Sequence, residues 1–428
     1  MIGGVAELLR EPRTTAALTT AGAGLVVVAF AVQQVAGWPG YIAALITLCV
    51  LLGASLVARR DEFEWHWAVL PVSLVVYLGW ITISVFWTDY TRVAFTSVGY
   101  LLLVTFVGVF IGLSRDTIQI IRSLGDVLRA VLVVSFALEV LSGLVFEAPL
   151  EALNIHAELG DGGPISGLVS DRNQLGLLAA IGAATFALEW RTRTVQRRTA
   201  IASVVLAVGI MVFTRSPVVA MVAVVLSGAF GVLYGIRRLR PERRQIAQYI
   251  VLVLLALGAA LAWAFRAPII ALFNATGELQ FRLELWQHVL DFVPRHGIEG
   301  WGWVGIWNPT VLPYSVLTPT DGRPHDSALN ALVDLWLQVG AVGVVLFLAL
   351  LGLAFTRSWL LAGRRRSVVH TWPALVLVAL IVVSVAESSI LTEAGWLLFV
   401  ICAVKASGEL SWRNALAPRD LGTTEPRP

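Results

Sequence analysis

The chain has 428 residues, 57% of them hydrophobic and 14% charged, with a mean hydropathy of +0.80 and a formal net charge of +3. Apolar runs of about 20 residues recur from end to end, each long enough to cross a hydrocarbon core of about 30 Å, which excludes a soluble multidomain protein. A transmembrane barrel would show short alternating segments instead, and so small a net charge gives a nucleic-acid reading little support.

The pattern predicts an all-α polytopic membrane protein of about twelve transmembrane helices, with a large extracytoplasmic loop containing an amphipathic helix. The opening "MIGGVAELLREPRTT" lacks the layout of a cleavable leader, so residues 1–14 are expected as a cytoplasmic N-terminus before a retained span. Nine spans are expected within 15–265, at 15–36, 40–58, 67–87, 93–113, 129–147, 173–190, 199–214, 217–236 and 247–265. A large loop and half-helix follow over 266–338. Three further spans lie within 339–406, at 339–358, 372–387 and 390–406, before a polar, proline-containing tail at 407–428 expected to be disordered. Cys49 and Cys402 fall inside apolar runs and read as small buried hydrophobes.

Arginine sets the orientation. Alternate connections carry "ARRDEFEWH", "SRDTIQIIRSLGDVLR", "RTRTVQRR", "IRRLRPERR" and "GRRRS", which the positive-inside bias places in the cytoplasm with both chain ends. Against that bias Arg172, Arg215, Arg282 and Arg323 fall on the outer side, where an ionisable group near membrane depth points to function. Snorkelling to headgroups is the alternative for any one of them.

Three spans start on that outer side beside such residues. The sixth follows "VSDRNQLGLL", with Arg172 and then Asn173 as its expected N-cap. The eighth follows "FTRSPVVA", where Ser216 is a cap and Pro217 suits the first helical position. The tenth is preceded by "RPHDSALNALVDLWLQVG", with His325 ahead of Asp326 or Ser327 as caps of a half-helix that Gly340 should break. A helix N-terminus carries unpaired N–H groups and partial positive charge. Guanidinium forks added to it make a site for phosphate oxygens. A membrane-embedded anionic ligand approached from outside fits, either a lipid diphosphate or a bound phospholipid.

Within the large loop, Leu279, Leu283, Leu285, Trp286, Val289, Leu290 and Val293 largely follow helical spacing, which predicts an amphipathic helix along the membrane surface. Arg282 and Trp286 share its face. The run "GIEGWGWVGIW" reads as a tight turn with tryptophans at headgroup level, or as a stacking surface for sugar. His325 is the outer histidine best placed for proton transfer, with Asp326 and Asp334 near enough to orient it. There is no P-loop, Rossmann fingerprint or HExxH motif, so no cofactor and no metal are expected.

Over about residues 165–400 the chain resembles the O-antigen ligase and polymerase-related membrane glycosyltransferases. The carriers are "DRNQLGLLAA", "FTRSPVVAMVAV", "FRLELWQHVLDFVPRHGIEGWGWVGI", "RPHDSALNALVDLWLQVGAVGVVLF" and "VAESSI", in that order around one large loop. The resemblance implies a bacterial inner-membrane enzyme of polysaccharide or lipopolysaccharide biosynthesis. It would transfer a glycan from an undecaprenyl-diphosphate carrier to an acceptor glycan or glycolipid on the outer face. Direct displacement at the anomeric carbon would invert it, and arginines stabilising the leaving diphosphate would need no metal. By the same resemblance, Arg172, Arg215 and Arg282 hold the diphosphate and His325 serves the acceptor. From their places beside these residues, Asn173, Asp326 and Trp286 are expected to contact substrate. Asp326 departs from the asparagine frequent at that position in the family, which bears on acceptor class. A polymerase on the same donor, or a flippase of lipid-linked sugars, are the competing expectations.

Overall fold

The computed structural model describes residue 7 and residues 10–59, 70–160, 162–169, 171–265, 268, 276–317 and 325–409. Arg323 and most of the tail lie outside the described residues. The chain is helical: α1 Pro12–Val27, α2 Ala29–Ala58, α3 Val72–Ile83, α4 Thr91–Ser114, α5 Thr117–Val140, α6 Arg172–Thr192, α7 Arg197–Phe213, α8 Pro217–Arg238, α9 Pro241–Ala264, α10 Thr276–Phe292, α11 Tyr314–Leu317, α12 Ala331–Arg364, α13 Thr371–Val383 and α14 Glu393–Glu409. Among the described residues, five helical stretches are long and apolar enough to cross a membrane: α2, α4, α5 with its π-helical extension to Phe146, α8 and α12. Among the described residues the only strand-like pairing is an isolated bridge between Leu150 and Ile155.

Two long helices are broken where the sequence forces it. In α2, Gly37 takes φ 70° beside Pro39, so residues 29–36 continue the path of α1 and the chain turns before running on to Ala58. In α12, Gly340 takes φ 67° and separates a half-helix, 331–339, from the longer apolar rod.

The interior is arranged around α13 and α14. α13 is buried along nearly its whole length, as an all-round apolar helix must be when neighbours enclose it. α14 packs on α4 across Gly108 and Gly112, a small-xxx-small pair. A methyl group at either glycine would come within 2.9 Å or less of Val400 or Val404. Buried polar links tie the helices together: Trp396 donates to Thr105 at 2.8 Å and Trp372 to Thr185 at 3.0 Å. Cys49 and Cys402 are buried free thiols.

One end of the bundle is covered by residues 141–160 and 162–169, α10, the glycine–tryptophan run and α11. The break in α12 leaves carbonyls without helical partners, and this cover satisfies them. Leu337 and Gln338 accept from the backbone of Trp301 and Gly302, and Val339 accepts from the indole of Trp80 at 2.9 Å. Two of the expectations for this region are corrected. The tryptophan run is not a headgroup-level turn: Trp303 and Trp307 are buried in protein, the latter donating to Asp334 at 2.8 Å. The half-helix is capped by Asn330, whose side chain accepts from Leu332 and Val333, rather than by Asp326 or Ser327.

Candidate functional site

At the covered end lies a cavity of about 790 Å³ where the starts of α6, α12 and α14 meet α10 and α2. Four chain-distant segments supply most of its polar groups, 171–174, 278–282, 325–329 and 387–393, and Gln33, Gln34 and Asp334 add to them.

The α6 contribution is set by a cap. Asp171, not Asn173 as expected, caps the helix by accepting from Gln174 at 3.0 Å. This makes Arg172 the first helical residue and turns Asn173 inward, where it is 8% exposed. The start of α8 is the one read from sequence: Ser216 accepts from Val219 at 3.1 Å and Pro217 occupies the first turn. Ser216 also donates to Asn173 Oδ1 at 2.5 Å, and Asn173 Nδ2 donates to Glu387 Oε1 at 2.7 Å. The same carboxylate oxygen accepts from Arg282 Nη2 at 2.9 Å. One buried chain therefore runs from the cap of α8 to the guanidinium of α10.

Arg282 is held on α10 because Leu285 and Val289 bury that face of the helix. Its guanidinium also donates to the carbonyls of Ala386 and Leu329. Arg172 donates to Glu278, one turn before Arg282 on the same helix. α10 thus presents a carboxylate to one arginine of the cavity and contributes the other arginine itself.

His325 lines the cavity and packs against Phe281 with ring centroids 4.7 Å apart; Asp326 lines it too. Trp286 lies outside the lining and supports it, donating to the carbonyl of Ala328 at 2.8 Å. Arg215 sits apart. It is exposed on the turn between α7 and α8 with φ 48°, and its guanidinium faces Gly162. Its neighbour Ser216 links this turn to the cavity residue Asn173. The structure thus gathers Arg172, Asn173, Arg282, His325 and Asp326, and places Arg215 and Trp286 around them.

Of the cavity's anions, the sequence pattern singled out Asp326 and Asp334 but not the others. Among the described residues, six carboxylates line it beside two guanidiniums: Asp171, Glu278, Asp326, Asp334, Glu387 and Glu393. Burial, and then the Asp171 charge, push Glu387 up to about 7 in spite of its bond to Arg282. Burial likewise raises Asp171. Near neutral pH part of this negative charge is therefore absent. Glu278 and Glu387 hold the two arginines in bonds that an incoming anion must replace. The signal in the sequence was "VAESSI", a polar interruption between two apolar runs that carries Glu387.

Residues 201–348, from α7 through the break in α12, match the family model described as O-antigen ligase. That stretch includes Arg215, Arg282 and His325. No curated protein matches the chain.

Proposed function

We propose, for a chain related to the O-antigen ligase family through residues 201–348, that it transfers a glycan from an undecaprenyl-diphosphate carrier to an acceptor hydroxyl. The covered end of the bundle faces outward from the bacterial inner membrane, consistent with arginine-rich connections on the opposite side. The carrying observation is that Arg172, Arg282 and His325, from three separate segments, line one cavity large enough for a diphosphate and its first sugar.

The diphosphate replaces Glu278 on Arg172 and Glu387 on Arg282. Each exchange swaps one charge-assisted pairing for another, and the guanidinium fork suits the bidentate oxygens of phosphate. The acceptor oxygen then forms its bond to the anomeric carbon while the bond from that carbon to the phosphate oxygen breaks. The electron pair leaves on the diphosphate, where the guanidiniums stabilise it without a metal ion. The acceptor proton passes to His325, and a single displacement inverts the anomeric centre. Asn173 holds Glu387 in place, and Arg215 acts from the rim through Ser216.

The test is reconstitution of the full chain in liposomes with lipid-linked oligosaccharide and candidate acceptors, following product by mass. A new glycosidic bond supports transfer, and the acceptor that works separates ligase from polymerase. Movement of the donor between leaflets with no new bond is the result a flippase would give, and it would overturn the reading.

A further inference from the structure

A second cavity of about 390 Å³ adjoins the first. Gln33, the segment 305–309 and the stretch Leu391–Glu393 contribute walls to both. The two differ in charge. Arg172 and Arg282 line the first, whereas the second has no arginine or lysine among its described lining residues, and Glu393 is its one ionisable side chain apart from Tyr100. The second cavity is therefore no place for a diphosphate.

Its walls have a different chemistry. Trp38 and Tyr100 stand edge to face with centroids 5.2 Å apart, and the Tyr100 hydroxyl is fixed by the Tyr41 hydroxyl at 3.1 Å. Thr96, Ser97 and Asn308 place hydroxyl and amide groups around these rings. The side-chain nitrogen of Gln33 is buried with no hydrogen-bond partner among the described residues, and such a donor is stabilised by a ligand that brings an acceptor atom. Flat aromatic faces with a negative quadrupole beside hydroxyl and amide groups suit a saturated ring that has a C–H face and a hydroxyl rim. A polyprenyl chain would leave the amide and the carboxylate facing hydrocarbon, which is costly. The volume falls within the range of about 300–1,000 Å³ usual for small-molecule sites.

At the junction of the two cavities stands Glu393, the first residue of α14. Its φ is 46°, a left-handed conformation that a residue with a side chain rarely adopts. The surrounding structure holds this conformation, and such strain gathers at functional positions.

We propose that the second cavity is the acceptor's sugar subsite: a pyranose ring stacks at Trp38 and Tyr100 and presents its reacting hydroxyl past Glu393 to the cavity that holds His325. This rests on the transferase reading above. In a displacement the acceptor approaches from the side away from the leaving diphosphate, and this is the adjoining space whose walls lack arginine. Glu393 acts as a positioning residue that accepts a hydrogen bond from the acceptor.

The experiment uses the full chain in liposomes, with donor lipid and acceptor glycan extracted from the cells of origin, each varied in turn. Trp38→Ala removes a stacking face, and Thr96→Trp fills the cavity. Both should raise the acceptor KM, Trp38→Ala by about tenfold, while the donor KM stays within about twofold; Trp38→Phe should restore most of the loss. Thermal melting in detergent confirms that the variants fold, and Ser97→Leu serves if Thr96→Trp does not. An unchanged acceptor KM in the folded variants overturns the subsite. A rise confined to the donor KM overturns it as well, by assigning the cavity to the donor's own sugars. A wild-type protein that transfers nothing brings down the transferase reading and this inference with it, and wild-type transfer with silent variants brings down this inference alone.

Discussion

Replacing Arg282 with alanine does two separable things. The buried guanidinium holds Glu387 Oε1 at 2.9 Å and donates to two backbone carbonyls, so its loss strands a carboxylate that Asn173 alone still contacts. Breaking a buried ion pair from one side costs about 3–5 kcal/mol. Here the cost should fall at the lower end, because burial already pushes Glu387 up to about 7 and protonation is a short step away. Catalysis loses more specifically. Removing one preorganised donor to a developing oxyanion lowers kcat by about 10²–10³. Adding Glu387→Gln to Arg282→Ala should recover most of the stability by removing the stranded charge, and none of the transfer rate. The assay pairs thermal melting in detergent with initial rates in liposomes. Transfer that returns with the double variant would refute the reasoning, because Arg282 would then be no more than a counterion for Glu387.

Four further outcomes follow from the same geometry. Glu387 is raised from an ordinary 4.5 to about 7 by burial and the Asp171 charge, so its stabilising contribution is complete below 4.5 and disappears as pH rises through about 7. Melting curves of Glu387→Gln should therefore be flatter than wild type across that window. His325→Ala should fold normally and lose about 10²–10⁴ in rate, the usual share of general base catalysis, read from kcat at saturating donor. Arg215→Ala should keep the stability of wild type, since the side chain is exposed, whereas Ser216→Ala loses a cap that contributes about 1 kcal/mol and also releases Asn173; melting compares the two. Gly340→Ala should fail to reach the membrane in folded form, because its methyl group would lie 2.1 Å from the Ile298 carbonyl oxygen at a φ of 67°; size-exclusion profiles after extraction decide it.

Much of this fold was legible because membrane helices announce themselves. The chain is helical where apolar runs predict it, five helical stretches among the described residues are long and apolar enough to cross a membrane, and the turn at Gly37 and the break at Gly340 stand where a glycine interrupts a run. The cap at Ser216 was legible too, since Ser-Pro is an unambiguous helix start. Elsewhere the local signal was degenerate. In "SDRN" both Asp171 and Asn173 can cap, and in "HDSALN" so can Asp326, Ser327 and Asn330; tertiary contacts decide, as when Ala331 donates to the carbonyl of Ser384. The tryptophan run was misread for a related reason. Its burial depends on unpaired carbonyls in a helix more than thirty residues later, and no local pattern encodes that. The arginines could be picked from the positive-inside bias, but their partners Glu278 and Glu387 lie 106 and 105 residues away. Arg215 and Arg282 looked alike on charge alone, and the structure separates them, one at the rim and one in the cavity.

The central claim is that the arginine-lined cavity receives a lipid diphosphate, and binding tests it more directly than turnover. Native mass spectrometry of the full chain released from detergent, with undecaprenyl diphosphate competing against undecaprenyl monophosphate and phosphatidylglycerol, reads occupancy lipid by lipid. The account predicts that wild type retains the diphosphate preferentially and that the Arg172→Ala, Arg282→Ala double variant loses this preference while still carrying phosphatidylglycerol. Equal retention of the diphosphate by wild type and the folded double variant would contradict it.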